Sequence, residues 1–187
     1  MVTHRFDTAE GVDRIDRARA RLAGRIGIRS ARAAVEAGGV LWVAVQEGTI
    51  VQVDASSRRV IRRWPALAPS VGAPTGLLAD ARGLWIVSGT RGELLRLEDG
   101  KVVRRYPVTL ASQKQPLLAR TRGGLWLASG TTDTLRHAPN VVQRIDPTSG
   151  RVTARVTIGD QQPVALVPVG ADLDVVTAQG RVLIIRG

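Results

Sequence analysis

Short runs of alternating apolar and polar residues fill most of this chain, and the runs recur. In "RVTARVTIG" (151–159), Val152, Ala154, Val156 and Ile158 fall on one face and Thr153, Arg155 and Thr157 on the other. That period of two is the mark of a half-buried strand. Three further runs precede it: "PLLART" (116–121), "LWLA" (125–128) and "VVQRID" (141–146). They are rich in Val, Leu and Ile and less polar, as strands covered on both faces must be. Turn residues separate the four runs: Gly123-Gly124, then "PTSG" (147–150), then Gly159-Asp160.

The same skeleton stands upstream as "GGVLWVAVQEGTIVQVDASSRRVIRRWPAL" and "RGLWIVSGTRGELLRLEDGKVVRRYPVTL". Trp42, Trp85 and Trp126 hold equivalent positions, 43 and 41 residues apart, and a fourth copy puts Asp174 in that place 48 residues on. A period in this range signals a propeller or a repeat array. With four strand-like runs per period, the pattern predicts an all-β fold, a β-propeller of four-stranded antiparallel blades with about four blades visible. The expected divisions are an N-terminal tail (1–11), a partial blade (12–28), full blades at 29–64, 65–106 and 107–158, and an incomplete blade (159–187). The tryptophans alternate with aliphatics in "LWVA", "LWIV" and "LWLA", which makes them blade-packing residues rather than a ligand platform.

The strings "VVQRIDPTSGRVTARVTIGDQQPVALVPVGADLDVV" and "GGVLWVA" resemble the blade repeat of bacterial YVTN-type and streptogramin-lyase-like (virginiamycin B lyase-like) propellers, from about Val12 onward. The resemblance implies the propeller fold. For the lyases it implies magnesium-assisted opening of a cyclic depsipeptide, with "LWFTE" in the blades and histidine and glutamate on the central face. Here the blades read "LWVAV", "LWIVS" and "LWLAS", and no His-x-Glu pair occurs. No lyase catalytic residue can be carried onto a position of this chain, so no catalytic residue, metal ligand or cofactor is assigned.

Strand bookkeeping leaves two arrangements open. "VDRID" (12–16) and "ARLAGRIGI" (20–28) match the third and fourth strands of a blade, and the last copy stops after its third strand, "RVLIIR". Residues 20–28 could supply the missing outer strand and close a small ring. Alternatively the chain is part of a larger propeller, with exposed edges that favour self-association.

Charge adds a second theme. The 187 residues carry a net +11, and all but Lys101 and Lys114 of the 27 basic residues are arginine. Many fall on predicted outer strands: Arg25, Arg58, Arg59, Arg62, Arg63, Arg104, Arg105, Arg151 and Arg155. Positive charge on a blade's free edge discourages edge-to-edge pairing. A nucleic-acid-binding surface is the competing reading, but it calls for clustering with stacking aromatics, and the chain has only six aromatic residues.

There is no cysteine, which excludes disulfides, thiolate metal sites and cysteine nucleophiles. No phosphate-cradling glycine loop or nucleophile elbow occurs. With no signal peptide or membrane-spanning run visible, a cytoplasmic chain without a membrane partner is expected.

Candidate chemistry therefore rests on loops. In an antiparallel blade, the connections after the second and fourth strands share one end. The long segments fall there: "PALAPSVGAP" (65–74), "PVTLASQKQP" (107–116) and the insert "SGTTDTLRHAPN" (129–140). Long loops on a rigid scaffold are where binding residues gather. The candidate ligand-binding residues are Asp133, Arg136 and His137 in the insert, Lys114 and Gln115 in the preceding loop, and Gln161 and Gln162 beyond. The expected function is a non-catalytic binding or scaffold module for a protein or small ligand; a lyase-like enzyme and a nucleic-acid binder are the alternatives.

Overall fold

The computed structural model describes residues 2–3, 12–16, 21–64, 74–89, 91–110, 116–130 and 139–187. Within them every regular element is a strand, and the strands form consecutive antiparallel sheets, the blades of a β-propeller. Strands β1 (Val2–Thr3), β2 (Val12–Asp16) and β3 (Arg21–Ile26) make the first sheet. The second holds β4 (Ala31–Ala37), β5 (Val40–Val45), β6 (Ile50–Asp54) and β7 (Val60–Trp64). The third holds β8 (Pro74–Asp80), β9 (Gly83–Ser88), β10 (Glu93–Glu98) and β11 (Lys101–Pro107). The fourth holds β12 (Leu117–Thr121), β13 (Gly124–Ser129), β14 (Asn140–Ile145) and β15 (Val152–Gly159). Strands β16 (Pro163–Val169), β17 (Asp172–Thr177) and β18 (Val182–Ile185) form the last, three-stranded sheet.

The strands expected from periodicity appear within a residue or two of their predicted bounds. Two differences matter. A strand already stands at Val2–Thr3, pairing with Arg14 and Asp13. Strand β3 pairs with β2, Val12 opposite Ile26 and Asp13 opposite Arg25, so it belongs to the first sheet and not to the outer position of the last. The connection between β2 and β3 is short, and a neighbouring strand in sequence costs the least loop entropy to recruit.

The chain divides into two compact units, Met1–Arg91 with Leu95–Arg104, and Gly92–Leu94 with Arg105–Gly187. In the first unit, Val12 and Ile28 pack against Leu41, Val43, Val45, Val51 and Val53, one face of the second sheet. The opposite face of that sheet presents Ala33, Ala44 and Ile50 to Leu84, Ile86, Leu95 and Leu97 of the third, with Trp42 against the cluster. In the second unit, Trp126, Ala128 and Val142 pack on Leu173 and Val175. The near-continuous apolar runs of β5, β9 and β13 thus give each strand two apolar faces, which is what stacked blades require.

An aromatic at the end of an outer strand ties one blade to the next. The Trp64 ring lies on Gly100 and the Tyr106 ring on Gly150, each glycine in the turn between the last two strands of the following sheet. Both glycines have positive φ, 77° and 73°, and an added Cβ would collide with the Trp64 Nε1 in one case and the edge of the Tyr106 ring in the other. Only glycine satisfies the turn and the ring together. Tyr106 also donates its hydroxyl to the Thr148 carbonyl at 2.9 Å.

Candidate functional site

The two ends of each blade are built differently. From the second sheet to the fifth, the turns joining the first two strands are two residues long: 38–39, 81–82, 122–123 and 170–171. At the other end run 65–73, 108–116 and 130–139. A polar side chain braces the short end in two of the blades. Asp80 accepts from the Arg82 amide at 2.9 Å and from the Trp85 indole at 3.3 Å. Thr121 does the same in the next copy, accepting from the Gly123 amide at 3.2 Å and the Trp126 indole at 3.1 Å.

A cation covers each of these indoles. Arg96 lies 5.0 Å from the Trp85 ring centre and Arg144 lies 5.9 Å from that of Trp126. Arg96 is 3% exposed and bonds both Asp80 and Glu98. Burial alone would lower its guanidinium; the hydrogen bonds and charges of Asp80 and Glu98 outweigh that and raise it. In the remaining two copies neither the arginine nor the polar acceptor of the trio recurs. Ala37, Trp42 and Gln52 occupy it in the first full blade, where Trp42 instead stacks on Trp64 at 5.2 Å. Val169, Asp174 and Ile184 occupy it in the last. The tryptophans sit in these packing positions, Trp85 and Trp126 buried and Trp42 half-buried.

The long-loop end of the second unit is anchored by buried amides that sequence patterning did not single out. Gln143, 1% exposed, donates from Nε2 to the Thr109 carbonyl at 2.7 Å, fixing the start of the 108–116 connection. Asn140, 2% exposed, donates from Nδ2 to the Gln161 carbonyl at 3.1 Å. Both residues begin or lie within β14, where amides interrupt an apolar run; that interruption is the signal available in the sequence.

Of the candidate residues, Asp133, Arg136, His137, Lys114 and Gln115 lie outside the described residues. Gln161 and Gln162 lie in the connection between β15 and β16, the first held through its side chain and the second through its backbone. Gln161 donates from Nε2 to Asp160 at 2.9 Å and accepts from the Thr177 hydroxyl at 3.4 Å. The Gln162 amide donates to Gln179 at 3.1 Å, and its carbonyl accepts from the Ala178 amide at 2.9 Å. The structure thus brings Asn140, Gln161, Gln162, Thr177 and Gln179 together in one hydrogen-bonded knot. Among the described residues every buried polar side-chain atom has a partner, and no group of three or more metal-ligating side chains forms. Among them, too, no helix is long and apolar enough to cross a membrane.

No protein family and no curated protein matches the chain. Solved structures do. Hydrazine synthase from Kuenenia stuttgartiensis aligns over 89% of this chain and 49% of its own, at 18% identity and TM-score 0.67. The computationally designed Ika8 protein aligns over 100% and 57%, at 13% identity and TM-score 0.66. A protein of unknown function from Bacteroides caccae aligns over 90% and 64%, at 15% identity and TM-score 0.66. This chain spans about half to two thirds of the length of these three structures, and at such identity the likeness is one of fold: this is a β-propeller chain.

Proposed function

We propose that this propeller is a non-catalytic binding module that contacts a protein or small ligand through the long-loop end of its second unit. The surface comprises 108–116, 130–139 and the connection 160–162. The observation that carries the proposal is the anchoring of these loops at their roots: Gln143 on Thr109 and Asn140 on Gln161, both from buried positions. Buried, fully paired amides hold a loop base in one geometry, which is the pre-organisation a binding surface needs. The polar groups beneath serve the scaffold, while the variable length is spent outside it. The likeness to YVTN-type and streptogramin-lyase-like repeats belongs to this proposal and is compatible with it, since such rings host many unrelated roles.

The test replaces residues 131–138 with a two-residue Asn-Gly turn and keeps Ser129 and Asn140, which are buried. Chemical cross-linking in cell extract, read by mass spectrometry, compares the wild type with this variant. The expected result is a partner cross-linked to 108–116 or 130–139 in the wild type and lost from the variant at unchanged melting temperature. Partners that survive the replacement, or cross-links confined to the opposite end of the blades, would overturn the reading.

A further inference from the structure

Two blades build the same arginine-on-indole arrangement and differ in what balances its charge. In the third sheet the guanidinium of Arg96 is fully committed. Its terminal nitrogens hold Asp80 at 2.9 and 2.7 Å, and its Nε holds Glu98 at 3.0 Å. In the fourth sheet register puts Thr121 in the place of Asp80, each opposite the glycine that opens the next strand, Gly124 and Gly83. Arg144 keeps its place by the Trp126 ring, and its Nε donates to the Thr153 hydroxyl at 3.0 Å. Asp146 follows Arg144 by two residues, as Glu98 follows Arg96, but its Oδ1 accepts from the Thr148 and Ser149 amides at 2.6 and 3.1 Å. Neither carboxylate that holds Arg96 thus has a counterpart at Arg144.

Among the described residues the half-buried Arg144 side chain has no partner beyond Thr153 and the indole. A small notch lies beside it. A Cβ built on Gly123 would stand 3.5 Å from the Arg144 Nη1 and 3.7 Å from the Thr121 Oγ1, in ordinary contact with both. Those two groups therefore flank one point beside an exposed turn glycine. Thr121 accepts from the Trp126 indole and the Gly123 amide, which leaves its own hydroxyl proton for a further acceptor. Arg122, exposed in the same turn, adds positive charge.

We propose that Arg144 and Thr121 form a recognition site for a carboxylate, which takes the position that Asp80 fills in the third blade. The guanidinium donates through both terminal nitrogens, in the planar fork that suits a carboxylate, and the Thr121 hydroxyl donates a third bond. The Trp126 ring and the Thr153 bond hold that fork in place before the ligand arrives, so little side-chain freedom is lost on binding. The site lies at the short-turn end of the fourth sheet and does not rest on the long-loop surface. A free carboxylic acid and an acidic side chain of a protein partner present the same group, and the experiment distinguishes them.

The experiment follows the Arg144 Nε–H and Trp126 indole N–H resonances of the nitrogen-15-labelled full chain, assigned by their loss in Arg144→Lys and Trp126→Phe. Sodium acetate, exchanged for sodium chloride at constant ionic strength, is expected to shift both resonances saturably. Gly123 is not among the positive-φ glycines, so Gly123→Ala fills the notch without backbone strain and should weaken binding at least fivefold. Thr121→Asp installs the internal carboxylate of the third blade and should abolish the acetate response while the remaining resonances stay in place. The end-blocked peptide Gly-Asp-Gly, with Gly-Asn-Gly as control, separates the sources. Binding of the aspartate peptide assigns the site to an acidic side chain of a partner; binding of acetate without it assigns the site to a free acid. No saturable shift, as when an acidic residue of the chain itself already fills the fork, would overturn the proposal. So would a response that the asparagine peptide reproduces, or one indifferent to both Gly123→Ala and Thr121→Asp.

Discussion

Arg96 grips Asp80 with both terminal nitrogens, at 2.9 and 2.7 Å, across strands that lie sixteen residues apart in sequence. The same carboxylate holds the Trp85 indole and the Arg82 amide, so one side chain closes a turn, orients a ring and neutralises a buried cation. Removing it should be costly. Asp80→Ala leaves Arg96 with only Glu98, whose side chain is 40% exposed, and is expected to destabilise by about 3 kcal/mol. The last blade suggests the compensating change, because it carries Val169 and Ile184 at the corresponding positions. In urea unfolding, the Asp80→Val, Arg96→Ile double variant should lose less than the sum of its single changes. Additive losses would show that the pair is not coupled.

The tryptophans should separate by environment although the sequence places them alike. Trp126 is 1% exposed and hydrogen-bonded to Thr121, so Trp126→Ala should cost about 3–5 kcal/mol. Trp42 is half-buried and has Trp64 as a stacking partner that can settle into the vacated space. Trp42→Ala should therefore cost less, about 2 kcal/mol. Equal losses in denaturant titrations would contradict the difference in packing.

Much of this architecture is legible in the order of the amino acids, and the reason is physical. A period-two strand between glycine turns leaves a mark every few residues, and repetition multiplies it; the runs at 116–121 and 152–158 fall within a residue of β12 and β15. Val2–Thr3 leaves no such mark, because two residues carry no period. The Asp80–Arg96 pair is hidden for another reason: it depends on register across three strands. Its trace is the acceptor five residues before the tryptophan, Asp80 and Thr121 but Ala37 in the first full blade. Length and polarity mark the loop candidates, and neither property foretells a hydrogen-bond partner. Gln161 and Gln162 consequently fasten a connection, while the anchors Asn140 and Gln143 sit inside a strand.

The aromatic contacts on glycine turns predict an asymmetry between ring and turn. Gly150→Ala adds a methyl at a positive-φ position and into the Tyr106 ring, and should destabilise by about 2 kcal/mol or more. Adding Tyr106→Ala to that variant removes the clash but not the backbone strain. Thermal melts should show the double variant recovering part of the loss expected from summing the single changes. A strictly additive double variant would mean that the ring does not press on the turn.

Acid should weaken the blade turns in a defined window. Asp54 accepts from the Ser56 hydroxyl at 2.6 Å and from the Ser57 amide at 2.6 Å, and these bonds hold its carboxyl down at about 2. Asp146 makes the equivalent turn two blades on, lowered by the Ser149 and Thr148 amides, and Asp172 is lowered by the Gly187 amide and by Arg186. A folded pKa below the unfolded value of about 3.9 means that the unfolded chain takes up protons first as pH falls. The stabilisation from these carboxylates is complete above about pH 4 and fades as pH drops toward 2. Melting temperature should therefore fall across that interval. Asp54→Asn with Asp146→Asn keeps an acceptor oxygen in each turn but removes the titrating group. The pair should lower the melting temperature at pH 7 and flatten its decline between pH 4 and 2. An acid limb of unchanged steepness in the double variant would place the sensitive groups elsewhere in the fold.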